Sequence, residues 1–77
     1  MKIEVFAILK DYFKKEFEIA DQLDTIADLK QHLIAINPSS VEVLSRCRFA
    51  VEDDFVVDSY KITRNDNIMI IPPSSGG

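Results

Sequence analysis

Ile68-Met69-Ile70-Ile71-Pro72-Pro73-Ser74-Ser75-Gly76-Gly77 is the stretch that decides the fold. Its first four residues form an unbroken apolar run, the pattern of a strand in the middle of a sheet. The residues after it, 72–77, carry no apolar anchor, so they are expected to leave the body of the domain. The spacing therefore divides the chain into a folded unit, 1–71, and a tail, 72–77.

A central strand needs an apolar neighbour, and residues 2–9 are the best candidate. They are rich in β-branched and aromatic types and read as one strand. Ile3, Val5, Ala7 and Leu9 would line one face, with Lys2, Glu4, Phe6 and Ile8 on the other. Asp11 to Lys15 reads as a turn region. Glu16-Phe17-Glu18-Ile19 alternates strictly, so residues 2–20 look like an antiparallel hairpin.

Over 25–36 the period changes to that of a helix. Ile26, Leu29, Leu33 and Ile36 form one stripe, and Thr25 with Asp28 has the spacing of a capping box. Pro38 ends this helix, because the residue before a proline avoids the helical region. A shorter helix is expected at 40–46, where Ser39 and Glu42 repeat the capping-box spacing. Cys47, Phe49 and Val51 then share a strand face, Glu52-Asp53-Asp54 is a turn, and Phe55-Val56-Val57 is a short strand. In the polar turn 63–67, Asn65 is suited to a left-handed conformation. If the first and last strands lie side by side at the centre they run parallel, with the main helix across one face. That arrangement is a β-grasp, an α+β mixed sheet. Ile3, Val5, Ile19, Leu29, Leu33, Phe49, Ile68 and Ile70 are its expected core.

Composition narrows the function. Seventy-seven residues with 47% apolar and 29% charged content describe one small globular domain. Nine basic against thirteen acidic residues give a net charge of −4, a poor match to nucleic acid or an anionic membrane. One cysteine and one histidine exclude a disulfide framework and a multi-histidine or cysteine-based metal site. No apolar run approaches the roughly 18 residues of a spanning helix. With no signal peptide apparent, a soluble cytoplasmic protein is expected.

The chain's two glycines are both terminal, Gly76 and Gly77. At an average usage of about 7%, such a pair arises by chance in roughly 0.5% of chains. A residue without Cβ passes a narrow channel and leaves its carbonyl carbon unshielded. The C-terminal carboxylate is therefore the expected reactive group, and no side chain is expected to be catalytic. Cys47 reads as a small buried hydrophobe, His32 as a boundary residue, and Glu52, Asp53, Asp54 and Asp58 as a solvated turn, with a docking surface for a basic partner as the alternative. Strand parity sends Phe6, Met69 and Ile71 to the sheet face away from the helix, with Phe55 beside them. A domain with one helical layer leaves that face open as a partner surface.

The ending Pro72-Pro73-Ser74-Ser75-Gly76-Gly77, with Phe6-Ala7-Ile8-Leu9-Lys10-Asp11 in the first strand, resembles the small subunit of molybdopterin synthase, a ubiquitin-like sulfur carrier. That family typically ends Pro-Pro-Val-Ser/Thr-Gly-Gly, and Ser74 stands where valine is usual. The turn that usually reads Asp-Gly-Asp is Arg64-Asn65-Asp66 here. The resemblance implies that a ubiquitin-activating-like adenylyltransferase uses ATP to convert the Gly77 carboxylate to an acyl-adenylate. Sulfur transfer then gives a thiocarboxylate. It further implies insertion of the tail into the large synthase subunit, within a heterotetramer, and sulfur donation to the pterin precursor. Phe6, Phe55, Met69, Ile71, Pro72, Pro73, Ser74 and Ser75 would then face the partner, with Gly76 and Gly77 at the chemistry. No bound cofactor or metal is implied. A sulfur carrier for thiamin thiazole synthesis shares the fold and the terminal Gly-Gly but generally lacks the Pro-Pro. A ubiquitin-like protein modifier and a plain interaction module are the remaining alternatives.

Overall fold

The computed structural model describes residues 1–73. Strands β1 (Lys2–Val5), β2 (Glu16–Glu18), β3 (Arg48–Val51), β4 (Asp54–Val56) and β5 (Asn67–Ile71) join helices α1 (Ile26–Ile36) and α2 (Val41–Arg46). The strands form a single five-stranded sheet in the order β2-β1-β5-β3-β4. β1 and β5 are parallel, from Lys2↔Asn67 to Val5↔Ile70, and every other pairing is antiparallel. The last strand is thus the centre of the sheet with the first strand beside it, which is the β-grasp arrangement expected from the apolar runs.

Alternation along these strands places Ile3, Val5, Phe49, Val51, Ile68 and Ile70 on the face that α1 covers with Ile26, Leu29 and Leu33. Leu9, Phe13, Ile19 and Leu44 complete the buried cluster. All eight expected core residues are buried. Each fully buried Leu or Ile contributes about 1.5–3 kcal/mol.

Helix α1 begins as its sequence dictates. The Asp28 amide donates to Thr25 Oγ1 at 3.3 Å, and the Thr25 amide donates to Asp28 Oδ2 at 3.2 Å. It ends at Asn37, immediately before Pro38. The capping box expected at Ser39 and Glu42 does not form. A 3₁₀ turn, Pro38–Ser40, leads directly into α2, so Ser40 already has near-helical backbone (φ −85°, ψ 0°). Asn37 serves as the cap one turn earlier: its Oδ1 accepts from the Ser39 amide at 3.1 Å.

Three other expectations are corrected. Residues 2–9 are not one strand. β1 stops at Val5, Ala7 has φ 56°, and Ala7–Asp11 is a 3₁₀ turn. The chain has to reverse to reach β2, so Ala7 is exposed, while Leu9 reaches the core from the turn rather than from a strand. Asn65 is not left-handed, for positive φ falls on Ala7, Glu52 and Asp53. Its turn is instead closed by Asp66, whose carboxylate accepts from the Thr63 amide at 2.8 Å and the Tyr60 hydroxyl at 3.1 Å. Finally, β4 is Asp54–Val56, one residue earlier than expected, which leaves Val57 exposed. The Val51↔Asp54 register confines the β3–β4 turn to Glu52-Asp53, and the two positive φ values are those of a type I′ turn.

Leu33→Ala is expected to lower unfolding free energy by about 2–5 kcal/mol, and Thr25→Ala by about 1 kcal/mol. Urea denaturation followed by circular dichroism measures both, and equal losses would contradict the core and cap assignments.

Candidate functional site

Among the described residues, no layer covers the sheet face opposite α1. Its composition follows from the registers, because residues paired across strands share a face. Glu16, Glu4, Met69, Ala50 and Phe55 form one transverse row. Glu18, Lys2 and Asn67 form the row toward the β3–β4 turn. Ile71 and Arg48 form the row toward the tail. Phe6, one residue past the Val5↔Ile70 pair, keeps an extended backbone (φ −129°, ψ 156°), so parity carries it to this face beside Ile71.

The four apolar residues expected on this face differ in accessibility. Phe55 is 61% exposed, whereas Phe6, Met69 and Ile71 are half-buried. Ala50 is only 3% exposed because larger side chains, Phe55 and Met69, stand on both sides of it. Arg48, which the sequence reading passed over, lies with its guanidinium carbon 5.0 Å from the Phe55 ring centroid. The signal available for it was parity: Arg48 and Ala50 alternate with the core residues Phe49 and Val51.

The tail begins where β5 ends. Pro72 is half-buried and Pro73 exposed. Together with Ile8, Tyr12, Val43 and Arg46 they line an open groove of about 370 Å³. Ile8 was expected on the open sheet face, and the 3₁₀ turn moves it here. Ser74, Ser75, Gly76 and Gly77 lie outside the described residues.

The other chemistry-bearing side chains have local structural roles. Cys47 is half-buried rather than buried; its thiol donates to the Val43 carbonyl at 3.1 Å, and desolvation pushes its pKa up to about 11 against an opposing effect of Lys30. His32 Nδ1 lies 3.7 Å from Asp21 Oδ2. Asp58 accepts from Lys30 Nζ at 2.7 Å, while Glu52, Asp53 and Asp54 are exposed. Among the described residues no group of three His, Cys, Asp or Glu could hold a metal ion. No helix among them is long and apolar enough to cross a membrane.

Comparison with known proteins adds the following. The family model described as the ThiS family matches residues 3–77. The molybdopterin synthase sulfur carrier subunit of Chlamydomonas reinhardtii is 35% identical over 66 residues, covering 83% of this chain and 78% of that protein. Among solved structures, SAMP1 from Haloferax volcanii superposes with a TM-score of 0.75 at 17% identity, over 99% of this chain and 97% of that one. A complex of subunits 1 and 2 of the molybdopterin-converting factor from Helicobacter pylori contains a chain with a TM-score of 0.70 at 21% identity, over 99% of this chain and 96% of that one. At these identities the structural matches speak for the fold.

A thiol with a pKa near 11 is almost wholly protonated at neutral pH, and the thiolate is the nucleophile. Cys47 in the native chain is therefore expected to react with iodoacetamide at least about tenfold more slowly at pH 8 than in urea. Its native rate should still be rising at pH 10. A native rate equal to the rate in urea would contradict the burial of this thiol.

Proposed function

The chain belongs to the ThiS family, and we propose that it is the sulfur-carrier small subunit of a molybdopterin synthase, with Gly77 as its C-terminal sulfur-bearing residue. The observation that carries this reading is the 35% identity, over most of both chains, to a protein named molybdopterin synthase sulfur carrier subunit. The tail supports it, since Pro72-Pro73 and Gly76-Gly77 stand in the order that chemistry needs. Pro72-Pro73 favours this reading over the thiamin carrier.

A free α-carboxylate has a pKa of about 3.5 and is anionic at pH 7, so it resists nucleophilic attack. ATP removes that obstacle. A carboxylate oxygen of Gly77 attacks the α-phosphorus, pyrophosphate leaves, and an acyl-adenylate forms on an activating enzyme. A sulfur nucleophile then attacks the acyl carbon and AMP departs, which leads to the thiocarboxylate. Six extended residues reach at most about 20 Å, enough to thread from the end of β5 into a partner's active site. Pro72 and Pro73 stiffen the base of that thread and reduce the entropy lost on insertion. Ser74 and Ser75 are small and able to hydrogen-bond a channel wall. The partner receiving the tail is the large synthase subunit, and the open sheet face with Phe6, Phe55, Met69 and Ile71 is its docking surface.

The decisive measurement is intact mass after incubation with the activating enzyme, ATP and a sulfur donor. The wild-type chain should gain the mass of one oxygen-to-sulfur exchange at Gly77. A variant carrying one extra residue after Gly77, and Gly76→Val, should stay folded yet fail to gain it. Sulfur uptake by the extended chain without trimming would overturn the reading. Phe6→Asp should weaken association with the large subunit by about tenfold or more without loss of the folded state, as checked by thermal melting. Unchanged affinity would place the docking surface elsewhere.

A further inference from the structure

The open face changes character along the strand axis. At its tail end lie Phe6, Ile71 and Arg48, with Phe55 just below. At its far end lie Glu18, Lys2 and Asn67, next to the Glu52-Asp53 turn. In the far row, Lys2 already has Glu16 Oε2 at 3.7 Å. Arg48, at the other end, has no carboxylate partner among the described residues.

Arg48 and Phe55 are diagonal neighbours, because Phe55 pairs with Ala50 and Arg48 lies two residues before Ala50. The small Ala50 side chain leaves room for the guanidinium to reach the ring at 5.0 Å. This contact seats the guanidinium over the phenyl ring, and no carboxylate of the described residues engages its N–H groups. A guanidinium edge is a fork that matches a carboxylate through two parallel hydrogen bonds. The ring is held in turn, so less side-chain freedom remains to be lost on docking. Phenylalanine at 61% exposure, beneath an arginine with no ion pair among the described residues, has the composition of an interface anchor.

We infer that Arg48 and Phe55 form a preorganised anchor for a protein partner that presents a carboxylate beside an apolar side chain, and that the acidic far margin of the face meets a basic edge on the same partner. This rests on the sulfur-carrier reading, which makes the large synthase subunit the occupant. The polarity has a mechanical purpose. A carrier docked in the reverse sense would point Pro72 away from the channel that must receive the tail. Opposite charges at the two ends of the face make that orientation unfavourable, since like charges would then meet at both ends. The acidic end steers the encounter, and the Arg48–Phe55 end holds the complex.

The test is binding kinetics between the purified chain and the large subunit from the same organism, at low and high salt. Arg48→Glu is expected to weaken binding by about tenfold or more, chiefly through faster dissociation. Arg48→Lys should fall between, since it keeps the charge but loses the fork. Glu18→Lys combined with Glu52→Lys should slow association several-fold and flatten its salt dependence, with dissociation within about twofold of wild type. Circular dichroism and thermal melting establish that each variant is folded, and Arg48→Gln replaces Arg48→Glu if the latter is not. A folded Arg48 variant that binds within about twofold of wild type overturns the anchor. Unchanged association by the double variant overturns the steering margin. Failure of the wild-type chain to bind at all overturns the functional reading, and this inference with it.

Discussion

The parallel pairing of β1 with β5 is the constraint on which the rest of the structure depends. It joins residues near the two ends of the chain, from Lys2↔Asn67 to Val5↔Ile70, so everything between them is a connection. Closing a loop of that length costs roughly 4 kcal/mol in chain entropy. Ile3, Val5, Ile68 and Ile70, all at most 1% exposed, offset this with about 1.5–3 kcal/mol each. The pairing stands because the strands are apolar, and α1 is required because their buried face needs a cover. Helix and central strands are therefore one cooperative unit, with β2 and β4 added at its edges.

The same alternation that fills the core also sets the other face. Once Ile68 and Ile70 point toward α1, Met69 and Ile71 point away from it, and the tail leaves from the end of that strand. A partner that receives the tail thus meets a surface whose register with the tail is set by β5 itself. On the proposed function this coupling is what the domain supplies. In that proposal the C-terminal carboxylate would need no help from a side chain of the carrier, but it would need a rigid handle at a set distance.

The described turns of this chain are made without glycine, and that has consequences for how they close. The left-handed positions are Ala7, Glu52 and Asp53, each disfavoured by about 1–2 kcal/mol relative to ordinary backbone. They persist because packing on either side over-determines them. Val5 and Leu9, which flank the first, are fully buried, and the Val51↔Asp54 pair brackets the other two. Where the chain had an easier option it used side-chain hydrogen bonds, as Asp66 does for the Tyr60 and Thr63 turn and Asn37 for the entry to α2.

What the sequence determined by itself is whatever depends on neighbours in the chain. The Thr25–Asp28 box, the Ile26-Leu29-Leu33 stripe of α1, its stop before Pro38 and the period-two face of β5 are local patterns, and each is present in the structure. Ile36, the expected fourth member of the stripe, instead lies 57% exposed on the last turn. The buried set was legible for the same reason, since periodicity assigns each residue a side. Tertiary structure decided what depends on contacts far along the chain. Residues 2–9 alternate as a strand would, yet the need to return to β2 ends the strand at Val5 and sends Ile8 to the groove beside Pro72. Asn65 suits a left-handed turn, but the Asp66 carboxylate closes that turn without one. Arg48 is an unremarkable strand residue in the sequence. Only the β3–β4 register, which brings Phe55 opposite Ala50, puts an aromatic ring under its guanidinium.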